Sequence, residues 1–194
     1  TLRTIGGDAF SGCTALAEVL PALAPDYLTS FNTTGRGVYE NCTSITQAFR
    51  IGFAREIATG GGQWIRATKV PRAEFGPYIK TIPSFCWEAT SSIKELLLSE
   101  GLETWNGGSS MGGTTNIVNS FPTTLKSMSQ ELASGNVLKI DFAYFPNVTT
   151  FNTKFTDSIV YKAWFGPGIK AFPQNLFERN NHVTNITICA TNAI

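Results

Sequence analysis

Four cysteines and one histidine are the residues of this 194-residue chain best suited to metal or nucleophilic chemistry. Cys13, Cys42, Cys86 and Cys189 include no C-x-x-C pair and are spread along almost the whole length, so they lack the ligand spacing of a zinc site. His182 has no motif around it, and a general base needs a partner group within hydrogen-bond reach, so a surface histidine is the expected role. Phe10-Ser-Gly-Cys13 is no nucleophile elbow, and the glycine-rich stretch from Gly107 to Gly113 reads as a repeat turn. Its glycines are not followed by the Gly-Lys-Ser/Thr of a phosphate loop. Glu56, Glu74, Glu88, Glu95 and Glu100 are scattered rather than paired for acid/base work. The chain is therefore read as a non-enzyme, with no catalytic residue, no metal ligands and no cofactor.

Four Asn-x-Ser/Thr triplets begin at Asn32, Asn41, Asn147 and Asn185, and Asn41 is expected to be a poor glycan acceptor because it precedes a buried slot. The composition is 42% hydrophobic and 15% charged with a formal net charge of +1, which fits a folded domain. No basic run exceeds two residues, so nucleic-acid binding has no electrostatic footprint. Apolar runs such as Leu96-Leu97-Leu98 are far too short to form a transmembrane segment.

The elements that must position all these residues are written in a repeat. Ala9-Phe-Ser-Gly-Cys-Thr-Ala-Leu16 returns as Val38-Tyr-Glu-Asn-Cys-Thr-Ser-Ile45. The closing aliphatic recurs at Leu16, Ile45, Val70, Ile93, Ile117, Ile140, Tyr161 and Val183. An opening aliphatic recurs at Leu2, Leu28, Ile79, Leu102, Leu125, Val148 and Ile169. The period of roughly 23 residues lies in the solenoid range. A unit of this length cannot bury its own apolar face, so like slots must stack on like slots. The slot filled by Phe10, Tyr39, Trp64, Trp87, Met111, Ser134, Phe155 and Phe177 is then an internal column rather than a ligand platform. Gly60-Gly-Gly62 interrupts the spacing and reads as an inserted loop. Cys13 and Cys42 share a slot in adjacent turns, about 4.8 Å apart if stacked as strands. That distance permits a disulfide, and a pair of buried reduced thiols is the preferred alternative.

The phrase Leu2-Arg-Thr-Ile-Gly-Gly-Asp-Ala-Phe-Ser-Gly-Cys-Thr-Ala-Leu16, with its echo in the second unit, resembles the BspA-like (Treponema-type) leucine-rich-repeat family. The likeness is close in the first two units and from Ile79 to Leu102, and loosens beyond, where Thr114, Val137, Ser158 and Asn180 take the cysteine slot. It implies an α/β-type repeat solenoid: a right-handed leucine-rich-repeat coil of about eight turns, with short parallel strands on its concave face and a mostly irregular or short helical convex side. It also implies a secreted or cell-surface location and a role in adhesion. Residues 1–194 are expected to form one such solenoid domain, a segment of a longer chain whose other parts would supply any anchor.

Strand alternation after each closing aliphatic places the residues two and four positions later on the concave face. That rule selects Arg72, Glu74, Glu95, Asn119, Phe121, Phe142, Tyr144 and Phe165 as the candidate ligand-binding residues. Exposed aromatics on one face suit recognition of a host or neighbouring-cell protein or glycan. A structural or decoration subunit of a larger assembly is the alternative. A slip of one residue would return these rings to the core.

Overall fold

Each unit opens on an aliphatic with a second apolar residue three positions later, as in Leu28-Thr-Ser-Phe31, Ile79-Lys-Thr-Ile82, Leu102-Glu-Thr-Trp105, Leu125-Lys-Ser-Met128 and Val148-Thr-Thr-Phe151. Both ends of all five phrases are buried, and the two residues between them are exposed or half-buried. Two anchors so closely spaced hold only a short strand against the next coil. The Glu103 and Thr104 amides donate to the Lys80 carbonyl, those of Lys126 and Ser127 to Glu103, and those of Thr149 and Thr150 to Lys126.

The structure, a computed structural model, describes residues 2–18, 28–34, 36–84, 86–87, 89–106, 115–118, 120–129, 137–156 and 158–189. In chain order its strands are β1 (Thr4–Ile5), β2 (Ser30–Phe31), β3 (Phe49–Ile51), β4 (Ala58–Thr59), β5 (Arg72–Phe75), β6 (Thr81–Ile82) and β7 (Glu95–Leu98). There follow β8 (Thr104–Asn106), β9 (Thr115–Val118), β10 (Ser127–Ser129), β11 (Val137–Phe145), β12 (Thr150–Phe151), β13 (Ile159–Phe165) and β14 (Asn185–Ile188). The opening strands form two sheets, β1–β2–β4 and β6–β8–β10–β12. The closing strands form one seven-stranded sheet, ordered β3–β5–β7–β9–β11–β13–β14. Every ladder is parallel, and many partners lie one repeat of 23 residues apart, as in Thr81↔Thr104↔Ser127↔Thr150. The chain is thus a parallel-strand solenoid of about seven coils, and the expected repeat coil is the observed one.

Two features of that expectation change. The eight closing slots bound about seven coils rather than eight. No helix occurs among the described residues, so the coil is all-β there. The span expected to be mostly irregular or short helical is irregular, a stack of turns bonded coil to coil. The Phe10 amide donates to the Val38 carbonyl at 3.0 Å, Tyr39 to Trp64 at 3.0 Å, and Ile65 to Cys86 at 3.1 Å. Backbone groups satisfied by the neighbouring coil have no need of the i→i−4 bonds of a helix.

Aromatic rings fill the interior. Trp64, Phe75, Trp87 and Trp105 are buried in sequence along the coil, with centroids 6.4 Å apart for Trp64–Phe75, 5.8 Å for Phe75–Trp87 and 5.9 Å for Trp87–Trp105. The stack continues through Phe121, Phe145 and Phe165. Tyr39, Trp64, Trp87 and Phe155 of the aromatic slot are buried as expected, Phe10 and Phe177 are partly covered at the two ends, and Met111 and Ser134 lie outside the described residues.

The glycines read as an inserted loop are instead pressed against the neighbouring coil. The Asn32 side-chain amide donates to the Gly62 carbonyl at 3.0 Å, the Trp64 indole donates to the Gly60 carbonyl at 3.1 Å, and a Cβ on Gly60 would stand 2.8 Å from the Thr33 carbonyl oxygen. All four cysteines are free thiols. Cys42 is buried as expected, but Cys13 is exposed. Burial pushes the Cys86 thiol well above its ordinary pKa, so it stays protonated and inert. Asn41 is exposed in a left-handed conformation, whereas Asn32 is the triplet asparagine that is fully buried.

Carboxylates also clamp coil to coil. Glu100 accepts from the Thr123 amide at 2.9 Å, the Thr123 hydroxyl at 3.0 Å and the Thr124 amide at 3.2 Å. Desolvation alone raises this carboxyl, but the hydrogen bonds from Thr123 and Thr124 outweigh it and hold the pKa below the usual carboxylate value. A depressed folded-state pKa means that the unfolded chain binds more protons in this window. The stabilisation is therefore complete above the unfolded value of about 4.3 and disappears as pH falls through the folded one. Urea midpoints measured from pH 6 to pH 3 are expected to fall more steeply for the wild type than for Glu100→Gln.

Candidate functional site

The outer surface of β11, β13 and β14 departs from simple alternation, and that departure makes a site. Ile140 and Ala143 both face the core, so Asp141 and Phe142 both face outward. On the next strand Val160 and Ala163 are buried, and Tyr161 and Lys162 form the same two-residue step. The ladder keeps the steps aligned, with Ile140↔Val160, Phe142↔Lys162 and Ala143↔Ala163. At this level lies an open cleft of about 540 Å³ lined by Asp141, Phe142, Tyr161 and Lys162.

Aromatic rings continue the floor beyond the cleft. Phe142 is 49% exposed and packs on Tyr144 with centroids 5.5 Å apart. Tyr144 packs in turn on Trp164 of β13 at 4.9 Å, and Trp164 pairs with Thr187 of β14. The same register puts Asn185 beside Lys162. His182 meets the Tyr161 ring edge-on at 5.9 Å, and its backbone amide donates to the Asn180 side chain.

Of the eight residues expected on the binding face, Phe142 and Tyr144 stand together there. Phe121 and Phe165 do not. Phe121 is 3% exposed and Phe165 fully buried, both packed on Phe145. The cause is register. Val118 and Phe121 face inward with two residues between them, which reverses the phase counted from Ile117. In the β13 coil the core slot belongs to Val160 and not to Tyr161, so Phe165 falls inward with Ala163. Asn119 lies outside the described residues.

Arg72, Glu74 and Glu95 are on the outer side of the same sheet, two strands and more from Phe142, and are engaged with one another. Glu74 accepts from Arg50 at 2.6 Å and from Arg72 at 2.5 Å, and Arg72 reaches Glu95 at 3.5 Å. Arg50 also lies 4.7 Å from the centroid of the Phe53 ring. Two guanidinium groups over one carboxylate explain why Glu74 is only 5% exposed although it points away from the core. Opposite charges that neutralise each other in this way brace adjacent coils. Glu74→Ala is expected to lower stability by about 1–2 kcal/mol, toward the small end for charge-assisted bonds because both arginines reach water. Ligand binding by that variant is expected to match the wild type, as read by urea unfolding and by the binding measurements below.

Other candidate chemistry does not converge. Gly108-Ser-Ser-Met-Gly112 does spell the letters of the G-x-S-x-G elbow. It lies outside the described residues, between β8 and β9. No cluster of three His, Cys, Asp or Glu side chains among the described residues could hold a metal ion. A second cleft of about 430 Å³ is lined by Glu103, Thr124, Lys126, Asn147 and Thr149. Its polar groups are already committed: Lys126 pairs with Glu103 at 2.6 Å and the Asn147 amide donates to the Thr123 carbonyl. No described helix is long and apolar enough to cross a membrane.

Sequence reasoning missed Asp141, Tyr161, Lys162 and Trp164. Their signal was present as two outward-suited residues in succession, Asp141-Phe142 and Tyr161-Lys162, which strict alternation does not detect. In comparisons with known proteins, no family model matches the chain, no curated protein matches it, and no solved structure matches it.

Proposed function

We propose that this protein is a non-enzymatic recognition module, acting outside the cell or at its surface, that binds a protein or glycan through the outer face of β11 and β13. The observation that carries this reading is the half-exposed Phe142 ring packed against Tyr144 and, through it, Trp164 on the adjacent strand. Large rings held rigidly at a surface give contact area at little entropic cost, and such patches mark binding sites. The resemblance of the first two units to BspA-like leucine-rich repeats supports the adhesive role and the extracellular setting.

Screening the chain against an array of glycans and immobilised extracellular proteins tests the reading. At least one ligand is expected, and Phe142→Ala and Tyr144→Ala are each expected to weaken it tenfold or more. Binding that both variants retain in full would remove the patch from consideration. One observation favours the alternative of a structural subunit in a larger assembly. The core rows of Ala163 and Phe165 continue into Ile186 and Ile188 of β14, which are 46% and 57% exposed. Sedimentation as a stable monomer at high concentration would count against it.

A further inference from the structure

We propose that the cleft between β11 and β13 is a binding subsite for a neutral saccharide, with a sugar ring on Phe142 and its hydroxyls shared between Asp141 and Lys162. This rests on the recognition reading above and names the ligand class. A pyranose has a face of C–H groups carrying slight positive charge, which suits the negative face of an aromatic ring. It also carries adjacent hydroxyls that both donate and accept. Asp141 can only accept and Lys162 can only donate, and together they complement such a pair. Neither head group forms a hydrogen bond or ion pair with another described residue, and both side chains are exposed.

The cleft carries one charge of each sign, so it favours no net charge in a ligand. A sulfated or phosphorylated group entering the cleft meets the Asp141 carboxylate as well as the Lys162 ammonium, and a cationic one meets the same pair with the signs reversed, so attraction and repulsion offset each other. A polyhydroxylated ring without net charge meets no like charge. The volume of about 540 Å³ falls within the range of about 300–1,000 Å³ usual for small-ligand sites. Tyr144 and Trp164 prolong the apolar floor, so two or three linked sugars are accommodated better than one.

The test is saturation-transfer NMR and calorimetric titration of the whole chain with cellotriose, maltotriose, chitotriose and mannotriose. A heparin tetrasaccharide serves as the anionic comparison, and immobilised fibronectin, laminin and collagen form a protein arm. One or more of the neutral trisaccharides is expected to bind. Phe142→Ala, Lys162→Ala and Asp141→Asn are each expected to weaken it tenfold or more, and Lys80→Ala, immediately before β6, to leave it unchanged. The variants change exposed side chains, and circular dichroism checks that each is folded. The saccharide assignment is overturned if no neutral trisaccharide binds, if only the heparin fragment does, or if the cleft variants bind like the wild type. Phe142-dependent binding in the protein arm alone overturns the saccharide assignment while leaving the recognition reading standing. Silence in both arms removes both.

Discussion

Trp87→Ala is expected to lower the free energy of unfolding by about 3–5 kcal/mol, the range for emptying a large aromatic from a closed core. Trp87 has no exposed surface and sits between Phe75 at 5.8 Å and Trp105 at 5.9 Å, mid-way along the aromatic stack. In a solenoid each coil contacts chiefly its neighbours, so stability is a chain of nearest-neighbour terms. A void at this coil weakens the coupling between the coils before and after it. Urea unfolding of the variant is therefore expected to lose its single transition as well as its midpoint. Trp87→Phe separates volume from polarity. The buried indole N–H of Trp87 finds no acceptor among the described residues, so the phenyl ring removes an unsatisfied donor while keeping much of the packing. Its cost is expected to be well below that of Trp87→Ala, because far less volume is lost. A loss of less than about 1 kcal/mol for Trp87→Ala would contradict the packing described.

Gly37→Ala is expected to cost about 3 kcal/mol, at the upper end of the usual range for an inserted methyl group. A Cβ at this position would stand 1.5 Å from the Gln63 carbonyl oxygen and 2.4 Å from its carbon. The atoms it meets are backbone, and they cannot rotate away. Just beyond the contact, the Tyr39 amide donates to the Trp64 carbonyl and the Asn41 amide to the Arg66 carbonyl, each at 3.0 Å. Moving the two coils apart to admit a methyl group would stretch both bonds. Gly6→Ala is the matched control, since nothing lies within 4 Å of a Cβ there and no unusual φ is involved. Its effect is expected to lie within about 0.5 kcal/mol of zero. Equal melting temperatures for the two variants would contradict the close approach of coils at Gly37.

The recurrence of Leu28, Ile79, Leu102, Leu125 and Val148 with an apolar residue three positions on was enough to locate the opening strands and the buried column. Aliphatic slots that cannot be buried within one unit dictate stacking, and stacking dictates parallel ladders. The absence of helix among the described residues was not legible, because a span of turns bonded to the next coil carries no local periodicity. Nor was the phase of the last coils. Val160 and Tyr161 both suit a closing slot, and only pairing with Ile140 decides that Val160 goes inward. The same ambiguity misplaced Phe121 and Phe165 and concealed the double step at Asp141-Phe142 and Tyr161-Lys162. The ion network around Glu74 was half legible. Arg72 and Glu95 were evident from alternation, but Arg50 enters only through the β3–β5 register.

Three of the four tryptophans, Trp64, Trp87 and Trp105, are fully buried, and Trp164 alone stands on the outer face beside Tyr144. This makes the indole N–H resonances a direct readout of where a ligand sits. In an NMR titration of the ¹⁵N-labelled chain with the four neutral trisaccharides, the Trp164 indole and the amides of Lys162 and Asn185 are expected to shift. The other three indoles are expected to stay in place. A ligand that binds while leaving Trp164 unmoved, or that instead shifts Lys80, Glu103 and Lys126, which immediately precede β6, β8 and β10, would contradict the assignment of recognition to this face.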